Sequence, residues 1–146
     1  KWLLDSIMTS QLKVDKLQGR TTAGSIVVTS EGTAVETNLQ QGLGKFWVNF
    51  DGTASGAASR DSFNVSGMTD VGTGDYIISI NNNMANDDYA DVMGQEDNDY
   101  GNRSFMGKQS TGTKTSGQTK AFSYKGGSNA YQDNDEVRVL ALGDLA

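Results

Sequence analysis

The chain contains no cysteine, no histidine and no proline in 146 residues. Without cysteine there is no disulfide, no thiol nucleophile, no iron–sulfur cluster and no thiolate zinc site. Without histidine there is no imidazole base, no Ser-His-Asp triad and no haem ligand of the usual kind. At average usage of about 5%, a chain this long would carry roughly seven prolines, so their absence is a feature of the sequence. Positive charge is also scarce: 12 Lys and Arg stand against 18 Asp and Glu, giving a net charge of −6. That argues against a nucleic-acid partner, because neutralising phosphates over a broad face needs clustered bases. No run of 18 apolar residues occurs, so no membrane insertion is expected. Carboxylate chemistry and oxygen-liganded cations such as Ca²⁺ remain open, and nothing calls for a cofactor.

What is abundant is turn chemistry. Gly, Ser, Thr, Asn and Asp supply 70 of the 146 residues, which argues against a helical bundle. After Gly19 short apolar runs alternate with Gly/Thr/Ser turns. Strands are expected at 25–29 (SIVVT), 45–50 (KFWVNF), 61–66 (DSFNVS), 75–80 (DYIISI), 89–93, 120–124 (KAFSY) and 136–142 (EVRVLAL). Strict alternation in 45–50 places Phe46, Val48 and Phe50 on one face and Trp47 and Asn49 on the other, with a tight turn at Asp51-Gly52. Phe63 and Val65 are expected to share a face within one strand. The whole reads as one all-β domain over 21–146, an antiparallel sandwich or barrel-like fold, behind a short N-terminal attachment segment over 1–20. Residues 2–8 are interrupted by Asp5 and Ser6, which does not fit a secretory signal. Apolar residues at 3, 4, 7, 8 and 12 instead suggest a short amphipathic helix.

Charge is segregated in the second half. Residues 87–99 hold six acids and no base, whereas 100–132 hold five bases and no acid. One reading is an acidic loop screened by a basic neighbour. The other is that the blocks meet across a subunit boundary. Residues 108–118 (KQSTGTKTSGQ) read as one long polar loop.

Asp97 and Asp99 open a stretch resembling a calcium loop. Counted from Asp97, however, the glycine falls at position 5 and Lys108 at position 12, where an EF-hand needs position 6 and a Glu. No metal site is therefore assigned, and a solvated turn is the simpler reading. Paired carboxylates for glycoside hydrolysis need an acid in an apolar setting. The acids here lie mostly beside Gly and Asn. Asp61, ahead of Phe63, is the best-placed exception and reads better as a strand-entry ion pair with Arg60. No catalytic residue is assigned, and an enzyme is not expected. Tyr89, Tyr100 and Tyr131 stand in polar contexts. With Asp97, Asp99 and Asn102 they form a candidate receptor or glycan surface, rings packing on sugar faces and polar groups taking hydroxyls. The alternative is that each ring plugs a gap at the sheet edge.

Three segments form a recognisable composite: KFWVNFDGT over 45–53, RDSFNVSG over 60–67 and TDVGTGDY over 69–76. Together with Met84, Tyr89-Ala90, the lead at 12–18 and the closing VRVLALG at 137–143, they resemble tail-fibre-like virion proteins of bacteriophages, marine ones especially. Residues 54–59 (ASGAAS) and the dense acidic block at 87–99 depart from that pattern. The resemblance implies a non-enzymatic structural protein of the virion, a homotrimeric tail fibre or fibre tip. Its partners would be copies of itself, other virion structural proteins and a host surface glycan. A capsid or tail decoration protein and a lectin-like module are the alternatives. Trp47, facing away from the expected core, is the candidate subunit-interface residue.

Overall fold

The computed structural model describes residues 11–20, 24–32, 34–96, 114–125 and 130–146, together with the backbone of 104–107. In chain order the elements are β1 (Val27–Thr29), β2 (Glu36–Asn38), the one-turn α1 (Leu39–Gly42), β3 (Gly44–Asp51), β4 (Ala58–Phe63) and β5 (Val65–Gly72). They continue with β6 (Asp75–Ile80), β7 (Ala90–Gln95), β8 (Ser104–Gly107), β9 (Gln118–Lys125), β10 (Ala130–Tyr131) and β11 (Val137–Leu142). All strand pairings are antiparallel. One sheet runs β4-β3-β11-β7; the second runs β10-β9-β6-β5, with β8 also pairing β9; β1 and β2 form a separate hairpin. The expected all-β class is thus realised as two sheets packed face to face.

Period-2 alternation builds the core. From the first sheet, β3 sends Phe46, Val48 and Phe50 inward and β11 sends Val137, Val139 and Ala141; from the second, β6 sends Tyr76, Ile78 and Ile80 and β9 sends Ala121. Phe50 meets Tyr76 edge to face across the sandwich, ring centroids 5.0 Å apart at 73°. Tyr76 is buried, yet its hydroxyl donates to Asp133 Oδ1 at 2.9 Å. Burial, and then the Asp133 carboxylate, push that hydroxyl well above the usual tyrosine range, so it stays protonated as the donor.

The β5–β6 turn is built on Gly74, at φ +63°, where a Cβ would lie 2.5 Å from the Ser123 carbonyl oxygen and 2.8 Å from that of Gln132. Only glycine combines that left-handed backbone with so close an approach. Its N–H donates to the same Asp133 Oδ1 at 2.5 Å.

The strand expected over 61–66 is two strands. Asn64 sits between them at φ +57°, turning the chain from the first sheet into the second. Asparagine tolerates this conformation better than most residues. Its side chain fixes the corner, donating to the Lys45 and Asn82 carbonyls at 2.9 and 3.1 Å and accepting from Asn82 N–H at 2.7 Å. Phe63 consequently faces outward while Val65 packs against the core.

Residues 11–20 form no helix or strand; the rest of the expected helix lies outside the described residues. Asn38 caps α1, its Oδ1 accepting from Gln40 N–H at 2.8 Å. Within the polar stretch 108–118, the described part ends in a turn at Ser116-Gly117 that feeds β9.

Candidate functional site

The outer face of the β4-β3-β11-β7 sheet carries an apolar row. In register, Phe63 of β4 pairs with Trp47 of β3, Trp47 with Leu140 of β11, and Leu140 with Val92 of β7. Directly paired residues share a face, so four large apolar side chains cross all four strands. They are 53%, 37%, 40% and 61% exposed respectively. Trp47, Asn49, Val92, Gly94, Arg138 and Leu140 line a shallow groove of about 410 Å³ there. Single exposed apolar residues are ordinary, whereas a contiguous row of this kind is uncommon on a monomer's surface.

Beside the apolar row lies a polar one, in which Asp61 pairs with Asn49, Asn49 with Arg138, and Arg138 with Gly94. Asn49 Nδ2 donates to Glu136 Oε1 at 3.2 Å, and Arg138 forms an ion pair with the same oxygen. The Glu136 carboxylate also accepts a hydrogen bond from the Glu96 carboxyl. That bond, and then the Glu136 charge, raise the Glu96 pKa above its ordinary value; the same bond and Arg138 lower that of Glu136.

The stability consequence follows from those directions. Glu96 holds its proton more tightly folded than unfolded, so its contribution is present at low pH and lost as pH rises through the raised value. Glu136 acts oppositely: its contribution is present above its ordinary value and lost as pH falls through the depressed one. Glu96→Gln keeps a donor on Glu136 without a second charge. We therefore expect a higher melting temperature than the parent at pH 7 and little difference near pH 4. An equal shift at both pH values in thermal melts followed by circular dichroism would contradict the shared-proton account.

A second polar cluster joins the two sheets at one edge. Lys114 Nζ lies 3.3 Å from Asp91 Oδ1, with the two side chains only 10% and 12% exposed. The ammonium also donates to the Tyr89 carbonyl and stands 3.9 Å from the centroid of the Tyr89 ring. Thr119 of β9 donates to Asp91 Oδ2 at 2.8 Å, and the Tyr89 hydroxyl donates to the Gln118 carbonyl at 3.0 Å. Burial pushes the Tyr89 hydroxyl up to about 12, helped by the Asp91 and Asp87 charges and opposed by a hydrogen bond with Thr119. The acidic block at 87–99 and the basic block at 100–132 thus meet within one chain at Asp91 and Lys114.

These positions separate the residues the sequence grouped as a binding surface. Tyr89 is 5% exposed and packs edge to face against Phe46, centroids 5.8 Å apart, so it offers no ring to a sugar. Its place at the entry to β7 puts the side chain into the core. Tyr131 is exposed and joins Phe122 and Tyr124 of β9, its ring centroid 5.9 and 5.7 Å from theirs in edge-to-face contact. Asp97, Asp99, Tyr100 and Asn102 lie outside the described residues.

Arg60 pairs with Asp51 at 3.5 Å, not with Asp61; it sits at the register shift between the Asn49–Asp61 and Phe50–Ser59 pairs, where regular alternation is interrupted. Asp61 instead accepts from Ser62 N–H at 2.8 Å. Among the described residues, no group of three or more potential ligands is placed to hold a metal, and no helix is long and apolar enough to cross a membrane. Alternation in EVRVLAL already places Leu140 opposite Val139, whereas no local signal joins Phe63, Leu140 and Val92 to Trp47. Lys114 left no signal within its polar stretch.

Comparison with protein-family models, with curated proteins and with solved structures found no match to this chain.

Proposed function

We propose that this chain is a non-enzymatic structural component of a bacteriophage particle, a tail fibre or fibre tip that assembles as a homotrimer and contributes to host-surface recognition. The observation that carries the proposal is the outward row Phe63-Trp47-Leu140-Val92. A virion subunit has a permanent neighbour to cover such a row, and the polar row beside it would set the orientation of that neighbour. The composite of segments resembling tail-fibre-like proteins supplies the virion context, with other virion structural proteins as further partners. Host recognition is assigned to the opposite sheet, where exposed Tyr131 with Phe122 and Tyr124 offers aromatic surface to a glycan.

The test is solution mass. Trp47→Ala removes the largest side chain of the row and leaves the inward face of β3 intact. Light scattering is expected to show the oligomer shifting towards the monomer mass. An unchanged mass would overturn the assignment of this face to subunit contact.

A further inference from the structure

The same chain carries a second exposed apolar element. In residues 11–20, Leu12, Val14 and Leu17 are 78%, 55% and 55% exposed. The root of this arm is placed on its own chain: residues 16–19 line a cleft with Gly24, Ser25, Ile26 and Gln40. The apolar residues before it project into solvent. In an extended strand Leu12 and Val14 share a face and stand roughly 7 Å apart.

Charge on the two elements is complementary. Residues 11–20 hold Lys13, Lys16 and Arg20 against the single acid Asp15. The polar ground beside the groove holds Asp61, Glu96 and Glu136 with Arg138, which already pairs with Glu136, and the Arg60–Asp51 pair next to them. Gly94, opposite Arg138, contributes no side chain, so the groove floor there is backbone.

We propose that the occupant of the groove is the N-terminal arm of a second copy of this chain. Leu12 and Val14 seat against Trp47, Leu140 and Val92, and the net positive charge of the arm meets the acids along the groove edge. The inference rests on the reading of this face as a subunit contact and adds to it what does the covering. An arm-to-groove contact joins two different surfaces, so each subunit gives one arm and receives one. Three such contacts close a ring, whereas face-to-face packing of the groove on itself would stop at two chains.

Two full-length variants test it. Leu12→Asp/Val14→Asp spoils the arm and keeps the groove; Val92→Asp spoils the groove and keeps the arm. All three positions are more than half exposed, and circular dichroism checks that each variant retains the fold. Each alone is expected to weaken self-association by about tenfold or more in sedimentation or light scattering. An equimolar mixture of the two is then expected to form a two-chain species, because one intact arm and one intact groove remain.

Failure of the two variants to associate on mixing would overturn the inference, as would an arm variant that keeps the parent mass. If Val92→Asp dissociates while the arm variant does not, the face remains a subunit contact and only the arm assignment falls. A parent chain monomeric at all concentrations would overturn both.

Discussion

Phe50→Ala is expected to cost about 3–5 kcal/mol. Phe50 is fully buried, and its ring is the direct bridge from β3 to Tyr76 on the opposing sheet. Removing it takes away the transfer free energy of the ring and leaves a cavity that a close-packed sandwich relaxes into only partly. For a domain of this length the loss corresponds to a fall of roughly 10–15 °C in melting temperature, a large share of the about 5–15 kcal/mol typical of a folded domain.

Urea denaturation should show a lower midpoint with an unchanged slope. Trp47→Ala, three positions earlier and facing outward, is the control; in the dissociated chain it should cost under about 1 kcal/mol. Similar losses for the two variants would contradict the assignment of β3 faces.

Breaking the ion pair at the sandwich edge should have a comparable effect. Lys114→Met leaves the Asp91 carboxylate nearly enclosed, with Thr119 still donating to it, and a desolvated charge without its counter-ion costs about 3–5 kcal/mol. The substitution also removes the cation from the Tyr89 ring. Replacing both charges, as in Lys114→Met/Asp91→Leu, should recover most of the loss, because an apolar pair of similar volume has no desolvation penalty. The four proteins form a double-mutant cycle read by chemical denaturation. Additive losses would mean that the two charges do not interact. Asp91 belongs to β7 in one sheet, and Thr119 to β9 in the other. The cluster is therefore a polar clamp between sheets, and its failure should open that edge first.

Both expectations rest on features of unequal visibility in the sequence. The inward set of β3 was readable from KFWVNF, because strict alternation leaves only one way to bury Phe46, Val48 and Phe50 together. β6 and β11 were readable for the same reason. β5 was not: VSGMTDVG is rich in residues that favour turns, and it forms a strand because β6 offers it a ladder. The break at Asn64 was hidden too. DSFNVS alternates well, and only the left-handed backbone at Asn64, held by Lys45 and Asn82, shows that alternation is interrupted there. Tyr89 misled in the other direction: its neighbours in sequence are polar, while its neighbours in space are Phe46, Lys114 and the β9 backbone.

The candidate site divides along the same line. That Trp47 faces away from the core follows from its position in the alternation, and so does the outward turn of Leu140. That these two residues touch the same surface, with Phe63 and Val92 extending it, depends on the pairing order β4-β3-β11-β7, which brings together strands up to about ninety residues apart in sequence. Local pattern carries the period of each strand because the period is set by the backbone. It carries no information about which strand lies alongside which, because that is decided by the packing of both sheets at once.

The sequence by itself determined the class of fold, the inward residues of its central strands, and the chemistries closed to a chain without cysteine or histidine. Tertiary structure alone decided that four separated apolar residues form one row, that Asp91 and Lys114 join the acidic and basic blocks inside a single chain, and that Tyr89 belongs to the core. Periodicity is local, whereas juxtaposition requires the whole chain to be folded.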